Sequence, residues 1–123
     1  MKKLFLPLVL LLFGFSVNSF SAVKTWDGGG ADGNWQTAAN WVGDAAPAAG
    51  DDLVFPATAA QFATNNNFFI LTSFRSLTFE GGSYTVGGNI FRLTNGLIVN
   101  GGTQTISTGV TLGAAQTFAA AAG

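Results

Sequence analysis

Residues 77–112 read LTFEGGSYTVGGNIFRLTNGLIVNGGTQTISTGVTL, and their rhythm decides the fold. Short runs of β-branched, aromatic and aliphatic residues (Leu77–Phe79, Tyr84–Val86, Ile90–Leu93, Leu97–Val99, Thr105–Ile106, Val110–Leu112) alternate with Gly81-Gly82, Gly87-Gly88-Asn89, Asn95-Gly96, Asn100-Gly101-Gly102 and Gly109. Such runs read as strands and such punctuation as sharp turns. The strands recur faster than the roughly 8–12 residues of a sandwich or barrel. A longer period of about twenty residues fits them instead, one turn of a parallel solenoid with three short strands. It predicts Leu77 stacked on Ile98, Phe91 on Leu112 and Val86 on Ile106. The competing reading is a hairpin-built sheet, for which Asn95-Gly96 between Leu93 and Leu97 is a turn signal.

Working outward, the same punctuation extends to Thr117-Phe118 and back to Leu53-Val54-Phe55 and Phe68–Leu71, with Asn65-Asn66-Asn67 read as a polar corner loop. After residue 22, apolar residues nowhere recur at helical spacing with caps, and glycine interrupts almost every such window. The expected architecture is all-β: the start of a right-handed parallel β-helix. Residues 51–123 form its first turns, residues 23–50 a Trp/Gly-rich N-terminal cap, and residues 1–22 a signal-peptide helix.

Residues 1–22 carry the marks of a secretory signal: Lys2 and Lys3, the apolar run Leu4–Phe15, and Ser19 and Ser21 at the −3 and −1 positions of a signal-peptidase site. The apolar run is shorter than the roughly 20 residues that span a bilayer. Cleavage leaves Lys24, Arg75 and Arg92 against six acids, a faintly acidic exported chain. The whole sequence of 123 residues is only 9% charged and has no cysteine and no histidine. That excludes a disulfide scaffold, thiolate or imidazole metal ligation, a Ser-His-Asp triad and a cysteine nucleophile. Five basic residues make no nucleic-acid surface. No cofactor and no metal is expected. Asp27, Asp32, Asp44, Asp51 and Asp52 read as turn formers, because the glycine-aspartate register around Gly28–Asn34 does not suit calcium. Asp51 and Asp52 are adjacent, so on a strand they point to opposite faces and make a poor catalytic pair.

Trp26, Trp35 and Trp41 lie within sixteen residues. Their expected role is to cover the open first turn of the solenoid, each aromatic burying on the order of 150–250 Å². The alternative is a row of exposed indoles stacking on glycan rings. Thr25-Trp26-Asp27-Gly28, Asn34-Trp35, Asn40-Trp41, Pro47 and Gly50-Asp51-Asp52-Leu53-Val54-Phe55 resemble the N-terminus of the autotransporter-associated β-strand repeat proteins, and Val110–Phe118 resembles their repeat. The resemblance spans most of residues 24–123. It implies a secreted or surface-displayed bacterial protein; members of that family are usually many hundreds of residues long, so this chain is expected to be an N-terminal fragment or the product of a truncated gene. Three functions follow: a non-enzymatic adhesin-like structural segment; alternatively a secreted glycan-binding β domain using Trp26, Trp35 and Trp41; third, a fragment of a carbohydrate-active β-helix enzyme. The partner left open is a surface glycan or matrix. Membrane contact would come only through the signal or a C-terminal anchor.

Overall fold

A computed structural model describes residues 20–121. Residues 1–19, and with them most of the expected signal helix, lie outside the described residues. What is described is a parallel β-solenoid of about three turns with no α-helix. A longer sheet stacks β1 (Val23–Thr25), β2 (Asp52–Phe55), β4 (Thr72–Phe79), β6 (Phe91–Val99), β8 (Val110–Leu112) and β9 (Thr117–Ala120). A shorter one stacks β3 (Ala63–Asn66), β5 (Thr85–Gly88) and β7 (Thr105–Ile106). Every strand pair is parallel.

The first turn is the longest, and the later ones settle at 19–21 residues. Val23 pairs with Asp52, 29 residues on, and Leu53 with Leu77, 24 on. Ala63 pairs with Thr85, 22 on, Val86 with Ile106, 20 on, and Phe91 with Val110, 19 on. The twenty-residue period is thus the limit that a longer first turn relaxes into. The first turn includes the whole cap segment. Val23–Thr25 lies on β2, Asn34 bridges to Asn65 of β3, and the Gly50 N–H donates to the Ser73 carbonyl at 2.8 Å.

Inward columns of side chains run down the lumen. Leu53, Leu77 and Leu97 form one, and Phe55, Phe79 and Val99 another; Phe118, in register beyond Leu97, is 56% exposed. Phe55 and Phe79 stack with centroids 5.0 Å apart. Apolar interior on every turn is what makes the stacked turns cohere, since each turn alone buries too little.

The stacking differs from expectation in detail. Val86 does meet Ile106. Leu77, however, lies over Leu97, while Ile98 pairs with Thr78 and faces outward. Phe91 lies over Val110, and it is Leu93 that meets Leu112. The first is a slip of one residue, which exchanges the inner and outer faces of a strand; the second is a slip of two, which keeps the face. Asn95-Gly96 is no hairpin turn. It lies inside β6, where a register shift inserts an extra residue opposite Arg75. That corner widens with each turn: Arg75 alone, then Thr94 and Asn95, then residues 113–116 between β8 and β9.

Two further readings invert. Phe68–Leu71 is not a strand but a corner, with Leu71 at φ 62° and Phe69 largely exposed. Asn65 and Asn66 are not loop but the end of β3. Asn66 is fully buried: its Nδ2 donates to the Asn89 carbonyl at 2.7 Å and its Oδ1 accepts the Phe68 N–H at 3.1 Å. Asn89 in turn donates to the Phe68 carbonyl at 2.8 Å. Asparagine wins over β propensity at this corner because its side chain supplies hydrogen bonds that the turning backbone lacks.

Candidate functional site

The residues singled out in the sequence converge on the N-terminal end of the lumen. Trp26, Trp35 and Trp41 all have no exposed surface. Trp26 and Trp41 meet edge to face, centroids 5.2 Å apart. Trp35 sits deeper, 5.7 Å from Phe55, 5.6 Å from Phe74 and 5.5 Å from Phe91, so one indole touches rings of three successive turns. Buried indole N–H groups call for acceptors. Trp26 Nε1 donates to the Gln61 carbonyl at 3.0 Å and Trp41 Nε1 to the Trp35 carbonyl at 2.8 Å. Trp35 Nε1 has no protein acceptor.

The lid also covers the sheet edge. The segment after the single 3-10 turn Ala38–Asn40 runs back antiparallel to β1, with Trp41 bridging Trp26. The Val42 N–H donates to the Thr25 carbonyl and the Asp27 N–H to the Asn40 carbonyl, each at 2.9 Å. An open parallel edge invites pairing with other chains; here part of that edge is occupied by the chain itself.

A polar hub holds the lid. The fully buried Asn40 donates through Nδ2 to the carbonyls of Asp32 (2.9 Å) and Asn34 (3.0 Å), and its Oδ1 accepts the Gly30 N–H at 2.8 Å. Gln61 Nε2 adds a bond to Asn40 Oδ1 at 3.3 Å. Gly28 is at φ +66°, and a Cβ there would lie 2.7 Å from Gln61 Cγ and 3.0 Å from Trp26 Nε1. The Asn34-Trp35 and Asn40-Trp41 pairs thus join a ring that fills the lumen to an amide that ties the overlying loop. Asn40 and Gln61 were not legible as partners, since only the fold brings them together.

The acids serve turns. Asp27 Oδ1 accepts the Gly29 N–H and Asp32 Oδ1 the Asn34 N–H, both at 3.0 Å. Asp32 titrates below 3.8, chiefly because of the Asn34 N–H and then the Thr37 hydroxyl. Asp52 pairs with Arg75 at 2.9 Å and accepts the Ser76 hydroxyl. Asp51 is nearly buried and accepts two N–H groups, from Ala48 at 2.8 Å and Ala22 at 2.9 Å. Among the described residues no three acids gather as metal ligands would.

Stacking on a sugar needs an exposed ring face, and Trp26, Trp35 and Trp41 present none here. A concavity does open at the widening corner. It is a cleft of about 430 Å³ lined by Ser76, Asn95, Gly96, Ile98, Ala115, Gln116 and Ala119, with no charged side chain among them.

Comparisons with protein-family models, curated proteins and solved structures gave no match.

Proposed function

We propose that the chain is an exported, non-enzymatic structural segment of a bacterial surface or secreted β-helical protein, adhesin-like in design. The observation that carries this reading is the long first turn, 29 residues between Val23 and Asp52, against 19 between Phe91 and Val110 and 21 between Leu97 and Phe118. A long first turn folded over its own lumen, followed by turns of 19–21 residues, suits the start of a repeat rod. Stacked turns advance about 4.8 Å each, so such a rod gains reach for few residues. The resemblance of the tryptophan segment to autotransporter-associated repeat proteins supports the same reading. The test is expression in a bacterial host with residues 1–22 in place. Recovery outside the cytoplasm of a chain starting at Ala22 is expected. Cytoplasmic retention of the intact chain overturns export, and turnover of a polysaccharide panel overturns the non-enzymatic role.

A second reading, glycan contact, is favoured at the corner cleft and not at the indoles. Its amide and hydroxyl groups (Asn95, Gln116, Ser76) beside the apolar Ile98 and Ala119 suit a neutral, hydroxyl-rich ligand, and its size falls in the roughly 300–1,000 Å³ range of ligand pockets. Amide chemical shifts that move at these residues on adding neutral hexasaccharides would establish it. Shifts elsewhere, or none, would remove it.

A further inference from the structure

The Ala22 N–H donates to Asp51 Oδ1 at 2.9 Å, and Asp51 is only 5% exposed. Ala22 is also the residue that signal cleavage after Ser21 would turn into the amino terminus. We propose that Asp51 is the receptor for that terminus: the α-ammonium freed by processing docks on the Asp51 carboxylate and locks the first turn of the solenoid. The proposal rests on the export reading for the position of the cut, and on the geometry for everything else.

The seat is already built. The Asp52 N–H donates to the Ala22 carbonyl at 2.8 Å, which fixes Ala22 alongside β2. The other Asp51 oxygen is held by the Ala48 N–H at 2.8 Å, so the carboxylate cannot swing away without breaking that turn. Before cleavage the donor at this place is a neutral amide. Hydrolysis of the Ser21–Ala22 peptide bond by water leaves a carboxylate on Ser21 and a protonated amine on Ala22, at the same nitrogen. A charge-assisted hydrogen bond is about twice as strong as a neutral one; Ala22 is itself exposed, so the limit on screening comes from the Asp51 side, where Asp51 is 5% exposed. Cleavage has one loss to set against this. The Ser21 hydroxyl donates to Asp52 Oδ2 at 3.1 Å, and that contact leaves with the leader. Asp52 keeps Arg75 at 2.9 Å and the Ser76 hydroxyl, so it is not left unpaired.

The charged groups around the new amine are therefore Asp51, from the Pro47–Asp51 turn, and Asp52 of β2 with its partner Arg75 of β4. The nearer charge is negative and raises the amine pKa above the ordinary value of about 7.7–8.0. A raised pKa in the folded state contributes stability that is complete below that ordinary value. It is lost as pH climbs through the raised one.

The experiment compares two chains of residues 22–123, one with a free Ala22 amine and one with Ala22 acetylated. Acetylation restores at this nitrogen the neutral amide N–H of the uncleaved chain, without the charge. The free-amine chain is expected to melt about 4–8 °C higher at neutral pH. The gap should close above the amine pKa and vanish when both carry Asp51→Asn. Equal melting of the two chains at neutral pH overturns the proposal, as does an Asp51→Asn loss that is the same in both. If Asp51→Asn fails to fold, the free-against-acetylated comparison and its pH dependence decide. These chains have defined ends, so the outcome is independent of where a cell cuts; the mass of the exported chain tests that separately.

Discussion

Leu77 lies over Leu97, not over Ile98, and that one-residue difference sets which side of β6 is core. Leu77 is fully buried, while Ile98 faces outward and is 36% exposed. Leu77→Ala should therefore cost about 2–5 kcal/mol, the transfer term plus the cavity left in a lumen that cannot collapse along its stacked turns. Ile98→Asn should stay within about 0.5 kcal/mol. Urea unfolding midpoints of the two variants check the register. A larger loss at Ile98 than at Leu77 would contradict it.

The period was legible from residues 77–112 because glycine corners and apolar runs mark turn length whatever the register. The register was not, because Leu97 and Ile98 are equally apolar and only the bulge opposite Arg75 decides between them. The lid was legible as tryptophan spacing, yet its means of attachment was not. Asn40, Gln61 and Asp32 are polar residues of ordinary composition until the fold closes them on one another. Likewise Asn65 meets Asn34 across a first turn of 31 residues, a spacing no twenty-residue repeat suggests.

Trp35 should be the most costly residue of the lid. It alone packs on rings of three turns, at 5.5–5.7 Å from Phe91, Phe74 and Phe55. Trp35→Ala should cost about 3–5 kcal/mol. In the intact chain all three indoles should emit blue-shifted and resist a soluble quencher. Quenching as easy as that of free tryptophan would place them at the surface.

Acid should loosen the lid through Asp32. Its folded pKa lies below 3.8 because the Asn34 N–H and then the Thr37 hydroxyl favour the carboxylate. A depressed folded pKa gives stability that is complete above 3.8 and fades as pH falls through the lower folded value. The chain should lose melting temperature over that acid window, and Asp32→Ala should flatten the loss. An identical acid slope in the variant would assign it elsewhere.

Alkali should act through Tyr84, the single tyrosine of the chain. Burial pushes its phenol from 10.0 up to about 12, and the hydroxyl donates to the Pro56 carbonyl. Here the folded pKa is the higher one, so the contribution is intact below 10.0 and disappears as pH rises towards about 12. Tyrosinate absorbance should appear only above 10.0, the ordinary phenol value, and together with unfolding. Tyr84→Phe should start less stable by about 1 kcal/mol for the lost hydrogen bond and then hold level through the same window. Tyrosinate forming near 10 in the folded chain would refute the burial.

Leu71 holds a left-handed backbone, φ 62°, at the corner into β4, and its N–H donates to the Ile90 carbonyl at 2.9 Å. That conformation costs an L-residue roughly 1–2 kcal/mol and glycine almost nothing. Leu71 is 46% exposed, so little packing is lost on truncation. Leu71→Gly should therefore raise stability by about 0.5–1 kcal/mol, after the extra backbone entropy of glycine in the unfolded chain is deducted. Leu71→Val should lower it by about 1 kcal/mol or more, since branching at Cβ crowds the same backbone. Phe69→Ser, at a side chain 81% exposed, is the control and should change little. Urea midpoints that rank Val above Gly at position 71 would show that the corner does not need positive φ.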